Sequence, residues 1–83
     1  MKILYYLLAN SYEKQEDYEN AAMCYKKAIE IKPDNGDYYR DYAIALAYAG
    51  DLEKARQALE TAKSQGLDSV EIDYVQGEIL FNE

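Results

Sequence analysis

The sequence predicts an all-α fold: five helices arranged as antiparallel pairs and stacked side by side. Three observations predict it. A shift of 34 residues superposes Tyr5 on Tyr39, Ala9 on Ala43, Asp17 on Asp51, Glu19 on Glu53, Ala21 on Ala55, Ala28 on Ala62 and Asp34 on Asp68. A second shift carries Ala43 to Gly77 and Leu46 to Leu80, so the 83 residues read as two whole units and half of a third. Finally, apolar residues recur at helical spacing with no β-alternation, and Pro33, Gly50 and Gly66 fall between the periodic segments.

The first helix is expected from about Ile3 to Lys14. After the gap Gln15-Glu16-Asp17, a second runs from about Tyr18 to Ile31 and stops before Pro33, because proline disfavours helix at the residue preceding it. Asp34 or Asn35 can cap the third, from about Asp37 to Ala49. Gly50 closes that helix and Asp51 caps the fourth, from about Leu52 to Ser64. Gly66 closes the fourth. Asp68 with Glu71 three residues on has the form of a capping box for the fifth, from about Ser69 to Phe81. The repeat boundaries are accordingly 2–35, 36–69 and 70–83, within a single domain.

The recurring small residues have a mechanical reason. Ala9, Ala43 and Gly77 sit midway along first helices, and Ala21 and Ala55 early in second helices. Small side chains at both places let antiparallel helices approach to about 8 Å. Tyr25, Leu59, Leu46 and Leu80 then fill the space between successive pairs, since one pair cannot bury its own apolar face and a stack can.

On these residues the sequence resembles the tetratricopeptide repeat family. Its first unit places Tyr5, Leu8-Ala9, Tyr12, Ala21, Tyr25, Ala28 and Pro33 at that family's spacings, ending in Lys27-Ala28-Ile29-Glu30-Ile31-Lys32-Pro33-Asp34. The second unit shows Tyr39, Tyr42-Ala43, Leu46, Gly50-Asp51, Ala55, Leu59 and Ala62, and the third Gln76-Gly77 and Leu80. Trp is absent, Asp73 stands where an aromatic is usual, and Leu67 replaces the closing Pro. Pentatricopeptide repeats, with a 35-residue period and basic RNA-binding faces, fit less well. The resemblance implies a right-handed superhelix with first helices lining a concave face, and a non-enzymatic interaction module that binds a peptide or a partner's helix there.

By the same resemblance the concave face comprises Tyr6, Asn10 and Glu13 from the first helix. The third helix contributes Asp37, Arg40, Asp41, Ile44 and Tyr48, and the fifth Glu71, Tyr74, Glu78 and Phe81. This face is acidic and aromatic, with Arg40 and Lys14 as its bases, and suits a basic or aromatic-bearing peptide. A branch of the family grips the terminal carboxylate of chaperone tails through Lys, Asn and Arg. Its places hold Tyr6, Asn10, Asp41, Glu71 and Val75 here. Only Asn10 matches, and the acids would repel a carboxylate, so chaperone-tail clamping is rejected.

Other residues carry quieter expectations. Tyr5, Tyr12, Tyr18, Tyr25, Tyr39 and Tyr42 fall at core spacings, where a ring can be buried with its hydroxyl wet. Tyr6, Tyr48 and Tyr74 are better placed for a ligand, and Tyr38 has no assigned place. Cys24 reads as an inert, partly buried thiol. Asp34-Asn35-Gly36-Asp37 has the composition of a calcium loop, but the preceding ligand places would be Ile31 and Pro33, so it reads as a turn and cap.

Composition narrows the function classes. Sixteen acids against nine bases give a net charge of −7, which disfavours nucleic acid and anionic membranes as partners. The chain has no His and one Cys, which excludes disulfide staples, His-based metal sites and His-dependent triads. No cofactor, metal or catalytic constellation is expected. No apolar run reaches the roughly 18–20 residues of a membrane span. The opening Met1-Lys2-Ile3-Leu4-Tyr5-Tyr6-Leu7-Leu8-Ala9 lacks a cleavage pattern and reads as a first helix rather than a signal peptide. A cytoplasmic location is the expectation.

Both ends look unfinished, because terminal units of a stack need polar outer faces. Ile3, Leu4 and Leu7 at one end and Ile79, Leu80 and Phe81 at the other are expected to form open apolar patches. The sequence thus reads as a piece of a longer repeat protein, or as a module that self-associates into a homo-oligomer through its ends. Self-association without a peptide ligand is the alternative function.

Overall fold

The computed structural model describes residues 2–83, and side-chain surroundings from Leu4 onward. It has five helices and, among the described residues, no strand: α1 (Lys2–Lys14), α2 (Tyr18–Ile31), α3 (Gly36–Ala49), α4 (Leu52–Ser64) and α5 (Ser69–Phe81). The limits differ from the expected ones by one residue at the starts of α1 and α3. No helix among the described residues is long and apolar enough to cross a membrane.

The turns repeat in atomic detail. Asp17 and Asp51 cap α2 and α4 with the same backbone angles, φ −93° and ψ 74°. Their carboxylates accept from the amides of Asn20 and Lys54, at 3.4 and 3.2 Å. Each cap also donates its own amide back to the preceding helix, Asp17 to the Tyr12 carbonyl and Asp51 to the Leu46 carbonyl, both at 2.9 Å. The residue before each cap is left-handed: Gly50 has φ 92° and Glu16, one repeat earlier, φ 60°. Glycine takes that conformation freely, whereas a side chain there costs about 1–2 kcal/mol.

The remaining caps resolve two expectations. Asn35, not Asp34, caps α3, accepting from the amides of Asp37 (2.9 Å) and Tyr38 (3.3 Å). Asp68 caps α5 through the Glu71 amide at 2.9 Å. The reciprocal half of the expected box is not made, because the Glu71 side chain turns to Arg40 instead.

Within each unit α1 packs on α2 and α3 on α4; α2 joins the units by packing on α3, and α5 lies against both α3 and α4. The core is built on alanine. Ala9, Ala21, Ala43 and Ala55 are completely buried, as are Tyr25 and Val75, with Leu46, Leu59 and Ile79 packed against them. Leu67, standing where a closing proline is usual, is buried as well. Small side chains let the helix axes close up, and the larger residues fill what remains.

The third unit departs from expectation. Gly77 has nothing within 4 Å of the place its Cβ would occupy, and Leu80 is exposed. A small residue and a filler residue do their work only where another helix crosses, and on this face of α5 none does. Ile79, assigned to the open apolar end, is only 2% exposed: it points from α5 into the core. Leu4, Leu7, Leu80 and Phe81 are exposed as expected. Ile3 lies outside the residues whose side chains are described. The tyrosines are also less buried than their spacing implies. Only Tyr25 is fully enclosed, while Tyr5, Tyr12, Tyr18, Tyr39 and Tyr42 are half-buried.

Candidate functional site

Side-chain hydrogen bonds tie α1 to α3 and α3 to α5, and the residues expected on the concave face gather at two ends of these three helices. The two ends are built differently.

At one end the side chains are bonded to one another. The Tyr6 hydroxyl donates to Asp41 Oδ2 at 2.7 Å, tying α1 to α3. The Tyr6 ring stacks on Tyr38 with centroids 5.1 Å apart, which gives Tyr38 its place, and meets Tyr25 edge-on at 5.8 Å. Arg40 donates from Nε to Asp41 Oδ1 at 3.1 Å and from a terminal nitrogen to Asp37 Oδ1 at 3.4 Å. It also donates to the Glu71 carboxylate, clipping α3 to α5. The Arg40 and Asp41 side chains are only 22% and 17% exposed, so this network is largely withdrawn from water. Burial opposes the charge on Arg40, but Asp41 and Glu71 outweigh it and raise its pKa. Burial, aided by the bond to Asp41, pushes the Tyr6 phenol up to about 12.

Between the ends, the Tyr25 hydroxyl reaches up from α2. Its single proton is shared between Glu13 Oε1 at 2.6 Å and Asn10 Oδ1 at 2.7 Å. Burial raises the Glu13 pKa; the bond from Tyr25 opposes this and the charge of Asp41 adds to it. Burial, with the Glu13 bond and charge, raises the Tyr25 phenol as well.

At the other end the surface opens into a hollow of about 440 Å³ lined by Asn10, Glu13, Lys14, Tyr18, Ile44, Tyr48, Tyr74 and Glu78. The rings of Tyr18 and Tyr48 stack at 5.0 Å and 23°. The Tyr48 hydroxyl donates to the Glu78 carboxylate, tying α3 to α5. That bond, then burial, pushes the Tyr48 phenol up to about 12. Tyr74 stands at the wall, 59% exposed. Phe81 is exposed and does not line the hollow. Tyr18 is the lining residue that sequence spacing assigns to the core. It opens α2 immediately after the Asp17 cap, where a helix start abuts the end of α1, and that position was the available signal.

Among the described residues no His, Cys, Asp and Glu side chains are grouped to hold a metal ion. Cys24 is partly buried, and burial raises its thiol pKa. Val75, which spacing equates with a basic residue of the chaperone-tail clamp, is wholly buried in the core.

Sequence comparison agrees with this architecture. One tetratricopeptide repeat profile matches residues 3–35, spanning α1 and α2, and another matches residues 24–57, from α2 across α3 into α4. The chain belongs to the tetratricopeptide repeat family. Such repeats are protein–protein interaction modules and are typically non-catalytic. The chain is 41% identical over 59 residues to human serine/threonine-protein phosphatase 5, a match that covers 66% of this chain and 12% of the phosphatase. The rat phosphatase matches equally. It is also 33% identical over 64 residues to the N-terminal acetyltransferase A complex auxiliary subunit NAA15 of Arabidopsis thaliana, covering 74% of this chain and 7% of that protein. This tetratricopeptide chain therefore spans a small part of the length of each of these relatives.

Proposed function

We propose that the chain is a non-enzymatic docking module whose α1–α3–α5 surface binds an extended, Lys- or Arg-bearing segment of a partner protein. The observation that carries this reading is the open hollow of tyrosines and carboxylates at one end of the face on which the family's repeats present their first helices. Glu13, Asp37, Asp41, Glu71 and Glu78 outnumber Arg40 and Lys14 among the described residues expected on this surface, so its field attracts a basic segment and speeds encounter. Tyr74 and Tyr48 supply contact area that loses water on binding. The groove is short, so affinity is expected in the micromolar range or weaker, roughly that of small interfaces with few anchors. The relative named as an auxiliary subunit of an enzyme complex is in keeping with such a role.

A second reading rests on exposed Leu4, Leu7, Leu80 and Phe81: these ends stack on other copies and the groove stays empty. One set of measurements separates the two. Fluorescence anisotropy with labelled basic and acidic peptides is run on the wild type and on Glu13→Gln/Glu78→Gln. That pair removes two charges and keeps an acceptor for Tyr25 and Tyr48. Basic peptides should bind preferentially, more weakly as salt rises, and with a shallower salt dependence in the double variant. Equal binding of basic and acidic peptides would sink the groove reading, and concentration-dependent dimers in sedimentation would favour the second.

A further inference from the structure

We infer that the hollow between Tyr18, Tyr48 and Tyr74 is a socket for one lysine-type side chain: an alkyl stem ending in an ammonium or methylated ammonium group. This rests on the groove reading above and makes it more specific.

Four features of the hollow select that ligand. First, three phenol rings contribute to its walls from three different helices: Tyr18 from α2, Tyr48 from α3 and Tyr74 from α5. Aromatic faces carry negative quadrupole charge and attract a cation lying within about 6 Å. Second, Glu13 and Glu78 stand in the same lining, on α1 and α5. Each already accepts a phenol proton, from Tyr25 and Tyr48 respectively, which orients the carboxylate and leaves lone pairs for a further donor. Third, Ile44 adds an aliphatic surface for methylene groups. Fourth, the volume of about 440 Å³ lies in the range of roughly 300–1,000 Å³ typical of pockets for small organic ligands.

The contrast with the opposite end supports the same ligand. There Arg40 reaches Asp37, Asp41 and Glu71 and stands beside the Tyr6–Asp41 bond. A cation of the chain itself thus occupies the acidic, tyrosine-rich surface. At the Tyr48 end Lys14 lines the hollow but forms no ion pair with Glu13 or Glu78. The socket is therefore the counterpart of the Arg40 site, with the cation supplied by the partner.

The test uses the whole chain and two small probes, Nα-acetyl-lysine methylamide and its uncharged norleucine analogue, followed by NMR of tyrosine rings and the Ile44 methyls. The trimethyl-lysine form of the first probe distinguishes ring contact from hydrogen bonding, because it keeps the charge and has no N–H to donate. A peptide of alternating Lys and Gly reports on the groove as a whole. The socket predicts saturable shifts at Tyr18, Tyr48, Tyr74 and Ile44 with the lysine and trimethyl-lysine probes, none with norleucine, and about fivefold weaker binding in Tyr74→Ala. Tyr74 is exposed, so that variant keeps the fold. Equal shifts from lysine and norleucine probes would overturn the socket. So would binding of the Lys/Gly peptide with shifts elsewhere on α1, α3 and α5 and no effect of Tyr74→Ala; in that case the groove reading survives. If neither the probes nor the Lys/Gly peptide binds, both readings fall.

Discussion

The two ends of the α1–α3–α5 surface use the same pair of groups and reach opposite results. Each has a phenol donating to a carboxylate on the neighbouring helix, Tyr6 to Asp41 and Tyr48 to Glu78. Each phenol is pushed up to about 12, Tyr6 chiefly by burial and Tyr48 chiefly by its hydrogen bond. The difference is Arg40. Where its guanidinium is present, three carboxylates converge on it and α3 is clipped to α5. At the other end no such cation reaches across, and the tyrosines and carboxylates line a hollow. Arg40 thus makes one end an ion-paired clasp and the other end lacks such a cross-helix cation, although both are acidic and rich in tyrosine.

The largest test of this contrast is Arg40→Leu. It leaves Asp41 and Glu71 partly buried without their cation, and should cost about 2 kcal/mol, between the values for exposed and buried ion pairs. Urea unfolding measures it. A loss below about 0.5 kcal/mol would place Arg40 among ordinary surface charges and erase the distinction between the ends.

Tyr25→Phe comes next. Tyr25 is completely buried beneath the middle of the surface, and its hydroxyl serves Asn10 and Glu13. Losing that proton should cost about 1 kcal/mol, an ordinary hydrogen-bond increment, and should loosen the hollow more than the Arg40 end. Ring NMR signals of Tyr48 and Tyr6 compare the two ends directly.

Glu13→Gln is a smaller effect with a defined sign. Burial raises the folded-state pKa of Glu13, so its contribution is favourable below its unfolded value of about 4.3 and is lost as pH rises through the folded value. At pH 7 the glutamine variant should therefore melt slightly above the wild type. The advantage should vanish below about pH 4. A variant that melts lower than the wild type at pH 7 would show that the Tyr25 bond, not burial, governs this carboxylate. The smallest stability effect is expected from Tyr74→Ala, within about 0.5 kcal/mol, as for exposed positions generally. A larger loss would mean that the open end, too, is part of the scaffold.

Much of the architecture was legible because it is written in local chemistry. Asp17, Asn35, Asp51 and Asp68 announce helix starts whichever way the helices later pack, and a small residue every 34 positions marks the crossings at Ala9 and Ala43. The face shared by Glu13, Asp41 and Glu78 follows from the same spacing. What was not legible depends on how the helices stand against one another. Arg40 and Glu71 are 31 residues apart, and their bond requires α3 and α5 to stand at a particular height. Ile79, Leu80 and Phe81 are alike in the sequence, since apolar and polar residues are spread around α5 without a clear stripe, so no pattern says that Ile79 turns inward. Glu16 takes the left-handed turn that Gly50 takes one repeat later, and the composition of Gln15-Glu16-Asp17 does not advertise it.

α5 has one further consequence. It supplies Tyr74 and Glu78 to the hollow, yet one of its sides meets no other helix, and Val70, Tyr74, Leu80 and Phe81 remain in water. α5 is held by α3 and α4 alone among the described helices, and an element with few packing partners opens without unfolding the rest. The wall that α5 gives the hollow is therefore its least persistent part. A ligand spanning α1, α3 and α5 must pay to hold that wall in place, and in return slows its opening. Amide hydrogen exchange along α5 should then be the fastest of the five helices in the free chain and the most strongly retarded by a bound partner.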